Sequence, residues 1–309
     1  MSQTRDIVTG VDRSEHAPAV LARALAEGET AHRTVRLVQA WANPVWVGDT
    51  SGLGIVSVPP LYDGTAGARD VTDALLAVAL PGHPDVSVRA ETPQGDAGDV
   101  LVRAAQEAGL VVVGGRSHGA LASLLLGSTT GYVLHHAACP VMVVPDTATA
   151  APFRRVVVGF DDSACSRSAL RWALDAAHRY GCPLVVVHAL RLTNLPAQMS
   201  AGLLYPDLED GLRVWLDSEV ARAKVGVDDV ALTTEVHEGS ATQVLLGRTG
   251  PEDLLVLGSR GHGGFTGLLL GSVAMQCAQH GRGTVVVVRA GAERLEGSGS
   301  SAMAGAGVR

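Results

Sequence analysis

Towards the C-terminal end of the chain, Gly258-Ser259-Arg260-Gly261 is followed, nine residues later, by Gly271-Ser272. Glycines in such places let backbone amides turn inward and approach a ligand with no Cβ in the way. Successive inward N–H groups form an anion-binding nest. A helix expected to open at Ser272 adds free N–H groups and the positive end of its dipole at the same point. The Ser272 hydroxyl is a further donor. Together these residues make a phosphate cradle that needs no lysine, and the chain has only one, Lys224, in a predicted long helix. A flexible glycine-rich turn would have the same composition, so one such loop decides nothing.

The loop, however, occurs twice. Leu110–Ser128, LVVVGGRSHGALASLLLGS, aligns without a gap on Leu254–Ser272, LLVLGSRGHGGFTGLLLGS, at an offset of 144. Ile7–Ser14, IVTGVDRS, matches Val156–Ser163, VVVGFDDS, at an offset of 149. Both copies open and close with the same signals, which marks an internal duplication. Asp12 and Asp161 stand at matching places after the first strand of each copy. An acidic residue there could accept from ribose hydroxyls or an adenine amine, or it could simply cap a turn. The second strands end at Ala40 and Ala189, small residues that leave room for a flat base.

The elements that must position these residues alternate strand and helix. In the first copy the strands are Ile7–Gly10, Val35–Ala40, Val86–Glu91, Leu110–Val113 and Val141–Val144. Helices are expected over Ser14–Gly28, with Ser14 as N-cap, and over Arg69–Leu80, Ala97–Ala108 and from Ser128. The second copy repeats the pattern from Val156 to Val288. The strands are continuous Val/Leu runs, as in parallel sheets covered on both faces. The expected fold class is therefore α/β: two tandem doubly wound, mainly parallel five-stranded sheets flanked by helices. Ligands of such sheets bind beyond the carboxyl ends of the strands, where strand order reverses. The first domain is expected over 1–145 and the second over 153–290, with a small-residue linker, Asp146–Pro152, between them. The stretch 291–309, rich in Gly, Ser and Ala, is expected to be a disordered tail.

Composition narrows the function classes. The chain has 309 residues, 47% hydrophobic and 18% charged, which suits a packed protein of two domains. Its 24 Lys+Arg against 31 Asp+Glu give a net charge of −7, a poor match for nucleic acid. Apolar runs are short, so no membrane span is expected. The polar start, Met1–Ile7, gives no sign of a signal peptide. Cys139, Cys165, Cys182 and Cys277 lack metal-ligand spacing and are expected as reduced thiols in a cytoplasmic, bacterial protein.

The pattern Gly-x2-Gly-x9-Gly-Ser after a strand, with an Asp after the first strand, resembles the ATP-binding universal stress proteins in their tandem form. The resemblance covers nearly the whole chain, and GSRGHGGFTGLLLGSV is similar to the family's phrase. It implies ATP, with or without Mg2+, as ligand. It implies that Asp161 and the backbone near Ala189 and Leu257 meet the adenosine. Gly258, Gly261, Gly271, Ser272 and Val273 would hold the phosphates; Arg260, inside the loop, reads as a phosphate contact or as a solvated loop residue. The first copy carries over as Asp12, Ala40, Val113, Gly114, Gly127, Ser128 and Thr129. One departure is Ser117, which stands where the second glycine belongs. If that position needs positive φ, serine costs on the order of 1 kcal/mol, unless Gly119 allows a shifted loop. The second copy is thus expected to bind more tightly.

The resemblance also implies that the final strands of the two copies pair with each other, and it leaves a homodimer open. Catalysis is a separate question. There is no GxxxxGK[ST] loop, and His118 and His262 read as general bases or as loop or interface histidines. The expected function is a nucleotide-dependent stress sensor or regulator. The alternatives are a slow ATP hydrolase or autophosphorylating enzyme, and a scaffold with one degenerate site.

Overall fold

The computed structural model describes residues 5–42, 64–115, 126–148, 151–190, 205–224, 229–262 and 269–291. The first half contains β1 (Ile7–Gly10), α1 (Ala17–Ala31), β2 (Val35–Val38), α2 (Thr65–Ala79), β3 (Val88–Glu91), α3 (Ala97–Ala104), β4 (Leu110–Gly114), α4 (Ser128–His136) and β5 (Val141–Val144). The second half contains β6 (Arg155–Gly159), α5 (Ala164–Tyr180), β7 (Leu184–Leu190), α6 (Tyr205–Ala223), β8 (Leu232–Glu238), α7 (Ala241–Arg248), β9 (Asp253–Gly258), α8 (Ser272–His280) and β10 (Thr284–Val288). Of the expected tail only Gly291 is described; 292–309 fall outside the described residues, as do Arg116, Ser117, His118 and Gly119.

Each half has the strand order 3-2-1-4-5, all parallel. The two five-stranded sheets are one continuous sheet. β5 and β10 pair antiparallel, Val143 opposite Val285 and Val141 opposite Val287, so ten strands run β3-β2-β1-β4-β5-β10-β9-β6-β7-β8. Left at an edge, these Val-rich strands would be a template for aggregation. At the centre every residue of both is buried.

Both faces of the sheet are covered. Alternate residues feed two core layers: Ile7, Leu37, Val112 and Val286 on one face, with α1, α5 and α6, and Val8, Val111, Val143 and Val285 on the other, with α3, α4, α7 and α8. Two-sided burial is why these strands carry no polar alternation.

The halves also meet through α1 and α5. Tyr180 donates to Glu27, Arg23 donates to the Ala151 carbonyl (2.9 Å), and Arg23 lies 4.1 Å from the centre of the Phe153 ring. Burial pushes the Glu27 carboxyl above its ordinary pKa.

One helix start departs from expectation. Ser14 does not cap α1; His16 holds the N-cap position and makes no side-chain cap bond. The cause is Pro18. A helix capped at Ser14 would need an N–H at residue 18 to bond the Ser14 carbonyl, and proline has none. In the second half Arg167 makes that bond to Ser163 (3.0 Å), and the Ser163 hydroxyl caps by accepting from Ser166 N–H (3.1 Å).

Candidate nucleotide site

β6 and β9 are adjacent while their chains continue in opposite directions across the sheet, so a crevice opens at their carboxyl ends. It holds a cavity of about 450 Å³. Asp161, Ala189 and Leu257 line it, as do Gly258, Arg260, Gly261, Gly271, Ser272 and Val273. All nine site residues expected in the second copy therefore lie around one space.

Three glycines shape it, each for want of room. A Cβ on Gly258 would lie 2.7 Å from the backbone of Cys165 and Ser166, so α5 can start against β9 only because that Cβ is missing. A Cβ on Gly261 would lie 2.3 Å from Asp161 Oδ2. A Cβ on Gly271 would press on the Ser259 carbonyl at 3.3 Å. Gly261 is not among the glycines of positive φ, so its reason is the carboxylate and not the backbone angle considered from sequence.

Hydrogen bonds close the loop on itself. Gly271 N–H donates to the Ser259 carbonyl (2.7 Å), and the Ser163 hydroxyl donates to the Arg260 carbonyl (3.1 Å). Asp161 Oδ1 accepts from Ser163 N–H (3.1 Å) and Oδ2 from His262 N–H (3.3 Å). Burial alone would raise the Asp161 pKa. The hydrogen bonds from Ser163, Ser166 and His262 outweigh it and hold the carboxyl below its ordinary value. Asp161 thus stays anionic, and it is a brace of the loop as well as part of the wall.

The opposite wall is apolar: Val187, Leu245, Leu257 and Leu270, with Phe160 beside them. Sequence reading missed Val187, Leu245, Leu270 and Phe160. Leu245 lies one turn inside α7, where only its helical spacing from Ala241 could have pointed to it. A site with an apolar flank and a backbone-rich end matches what a base and a phosphate chain each require.

In the first half a cavity of about 280 Å³ is lined by Asp12, Val113, Gly114, Gly127, Ser128 and Thr129. Ala40 does not line it; His16, Ala17 and Val20, at the start of α1, do. The Thr130 hydroxyl donates to the Gly114 carbonyl (2.6 Å), and Gly127 N–H donates to the Gly115 carbonyl (3.2 Å), closing the loop as in the second half.

Among the described residues, no cluster of His, Cys, Asp or Glu could hold a metal ion, and no helix is long and apolar enough to cross a membrane. All four cysteines are free and buried.

The universal stress protein family matches residues 3–145 and again 152–289. The chain belongs to the universal stress protein family. A universal stress protein of Mycolicibacterium smegmatis is 32% identical over 287 residues, covering 92% of this chain and 96% of that one. A universal stress protein of Mycobacterium tuberculosis is 30% identical over 294 residues, with the same coverage. The crystal structure of a universal stress protein from Archaeoglobus fulgidus covers 94% of this chain and 100% of its own, with a TM-score of 0.61 at 18% identity. That likeness speaks for the fold of this universal stress protein.

Proposed function

We propose that this universal stress protein is a regulator that binds ATP, with or without Mg2+, in its second-half cavity, and that binding rather than turnover is its activity. The observation that carries the reading is the convergence of all nine expected residues on one 450 Å³ space between an apolar wall and the start of α8. The base would lie by Ala189, Val187 and Leu245. The phosphates would take the backbone N–H groups of the loop and of α8, with the Ser272 hydroxyl and Arg260 beside them. Gly261 and Gly271 fit that role, because a Cβ on either would press on the loop or on its Asp161 brace, and Gly258 fits because a Cβ there would push away the first turn of α5. The two halves are read as two domains, 1–145 and 153–290, and the protein as cytoplasmic.

The test is to denature protein purified without added nucleotide and identify what it releases by chromatography and mass spectrometry. About one ATP per chain is expected, from the second half. No released nucleotide, followed by no ATP binding in calorimetry, overturns the reading.

A further inference from the structure

Ser259 lies between the first two glycines of the second-half loop. Its N–H donates to the Val288 carbonyl (2.7 Å), and its own carbonyl accepts from Gly271 N–H at the start of α8 (2.7 Å). Val288 ends β10, and the next residue is Arg289. The Arg289 guanidinium crosses from one half to the other. It donates to the carbonyls of Leu134 (3.0 Å) and His135, in the last turn of α4. Those carbonyls have no partner within the helix, and a cation is favoured there by the helix dipole. At its other end α4 opens with Ser128, on the first-half cavity. A continuous route therefore joins the loop of one site to the helix that opens on the other.

The duplication supplies an internal control. In the first half Gly115 N–H donates to the Val144 carbonyl (2.9 Å), as Ser259 does to Val288. The residue that follows Val144 is Pro145, which has no side-chain donor. On that side the crossing is made by Thr147, whose hydroxyl donates to the Arg282 carbonyl (2.6 Å), past the end of α8. The fold does not itself require the guanidinium, since the mirror position does without it.

We propose that Arg289 is a positioning residue through which occupancy of the second-half site is read by the first half, by firming the last turn of α4. The proposal rests on the nucleotide reading above. Coupling needs a difference between the empty and filled states, and charge supplies it. Burial and the charge of Arg260 both bear against the Arg289 cation. A polyanion beside Arg260 offsets that repulsion, and the loop that would hold it includes Ser259, whose N–H is bonded to the carbonyl of the residue before Arg289.

Hydrogen exchange on the full chain tests this, with ATP binding followed by calorimetry in the same samples. A Ser128→Glu background excludes phosphate from the first-half site while keeping a favourable charge at the helix start. There, ATP is expected to slow exchange across 134–139 about fivefold to tenfold. Arg289→Ala should still bind ATP but lose that response, and Arg289→Lys should restore part of it. Without nucleotide, Arg289→Ala should speed exchange in the last turn of α4 and leave that of α8 unchanged. The proposal is overturned if ATP binds and the α4 turn does not respond, or if Arg289→Ala responds like the parent. Absence of ATP binding brings down the nucleotide reading itself and this proposal with it; calorimetry tells the two failures apart.

Discussion

In the second half α5 begins at Ala164, one residue after Ser163, and its first turn presses against Gly258. In the first half α1 begins at Ala17, three residues after Ser14, and among the described residues a Cβ on the matching Gly114 would meet only the Val20 side chain, at 3.3 Å. The strand order is the same and the loop closes with the same kind of hydrogen bond, yet the cavities measure about 450 and 280 Å³. The helix start that carries a proline, Pro18, is the delayed one, and it forms part of the wall of the smaller cavity. Duplicated architecture therefore preserves the framework of a site more readily than its walls, because the walls are made by the first turn of a helix and one residue can delay that turn.

The strongest way to break the comparison is to move the proline. Arg167→Pro removes the N–H that bonds the Ser163 carbonyl and should unravel the first turn of α5. A loss of about 3 kcal/mol is expected in denaturant unfolding, with ATP binding reduced. The converse, Pro18→Ala, should let Ser14 cap an earlier α1 and stabilise the first half by about 1 kcal/mol. If the two changes have equal and small effects, Pro18 is not what separates the halves.

Gly258→Ala against Gly114→Ala sharpens the same contrast. At Gly258 the new Cβ meets backbone, which cannot swing away, and overpacking of about 1–3 kcal/mol is expected. At Gly114 it meets the end of a valine, and the cost should stay under about 1 kcal/mol. Equal losses in paired urea titrations would mean that the two helix starts pack alike in solution.

Much of this was legible in the residues. The repeated loop gave the duplication, and the unbroken Val/Leu runs gave a sheet covered on both faces. The strand-end rule led to Gly258, Gly271 and Ser272 without any structure. Ser14 was misread because a good capping residue is a local signal, whereas Pro18 acts four residues on and overrides it. The reason for Gly261 was hidden for another cause. Its neighbour is the carboxylate of Asp161, and a contact across 100 positions of chain leaves no trace in spacing. Leu245 and Val187 were missed because apolar residues in a helix and a strand look the same whether they face a core or a ligand. Arg289 has no spacing signal of its own, since only the antiparallel seam of β5 and β10 brings it to α4.

The smallest predicted effect concerns Asp161 and acid. Its pKa in the folded protein lies below the ordinary value, so the unfolded chain takes up its proton first as pH falls. The stability it contributes is therefore present above about pH 4, the ordinary aspartate range, and is lost as pH drops through the lower folded value. Asp161→Asn should cost about 1 kcal/mol near neutral pH, discounted because the carboxylate is partly open to water. The difference from the parent should shrink below pH 4, where the parent loses its charge as well. Urea unfolding of both proteins from pH 7 to pH 3 measures this. A gap that stays constant down to pH 3 would mean that the loss in Asp161→Asn comes from an NH2 group facing backbone N–H donors, with the charge of Asp161 contributing nothing to the fold.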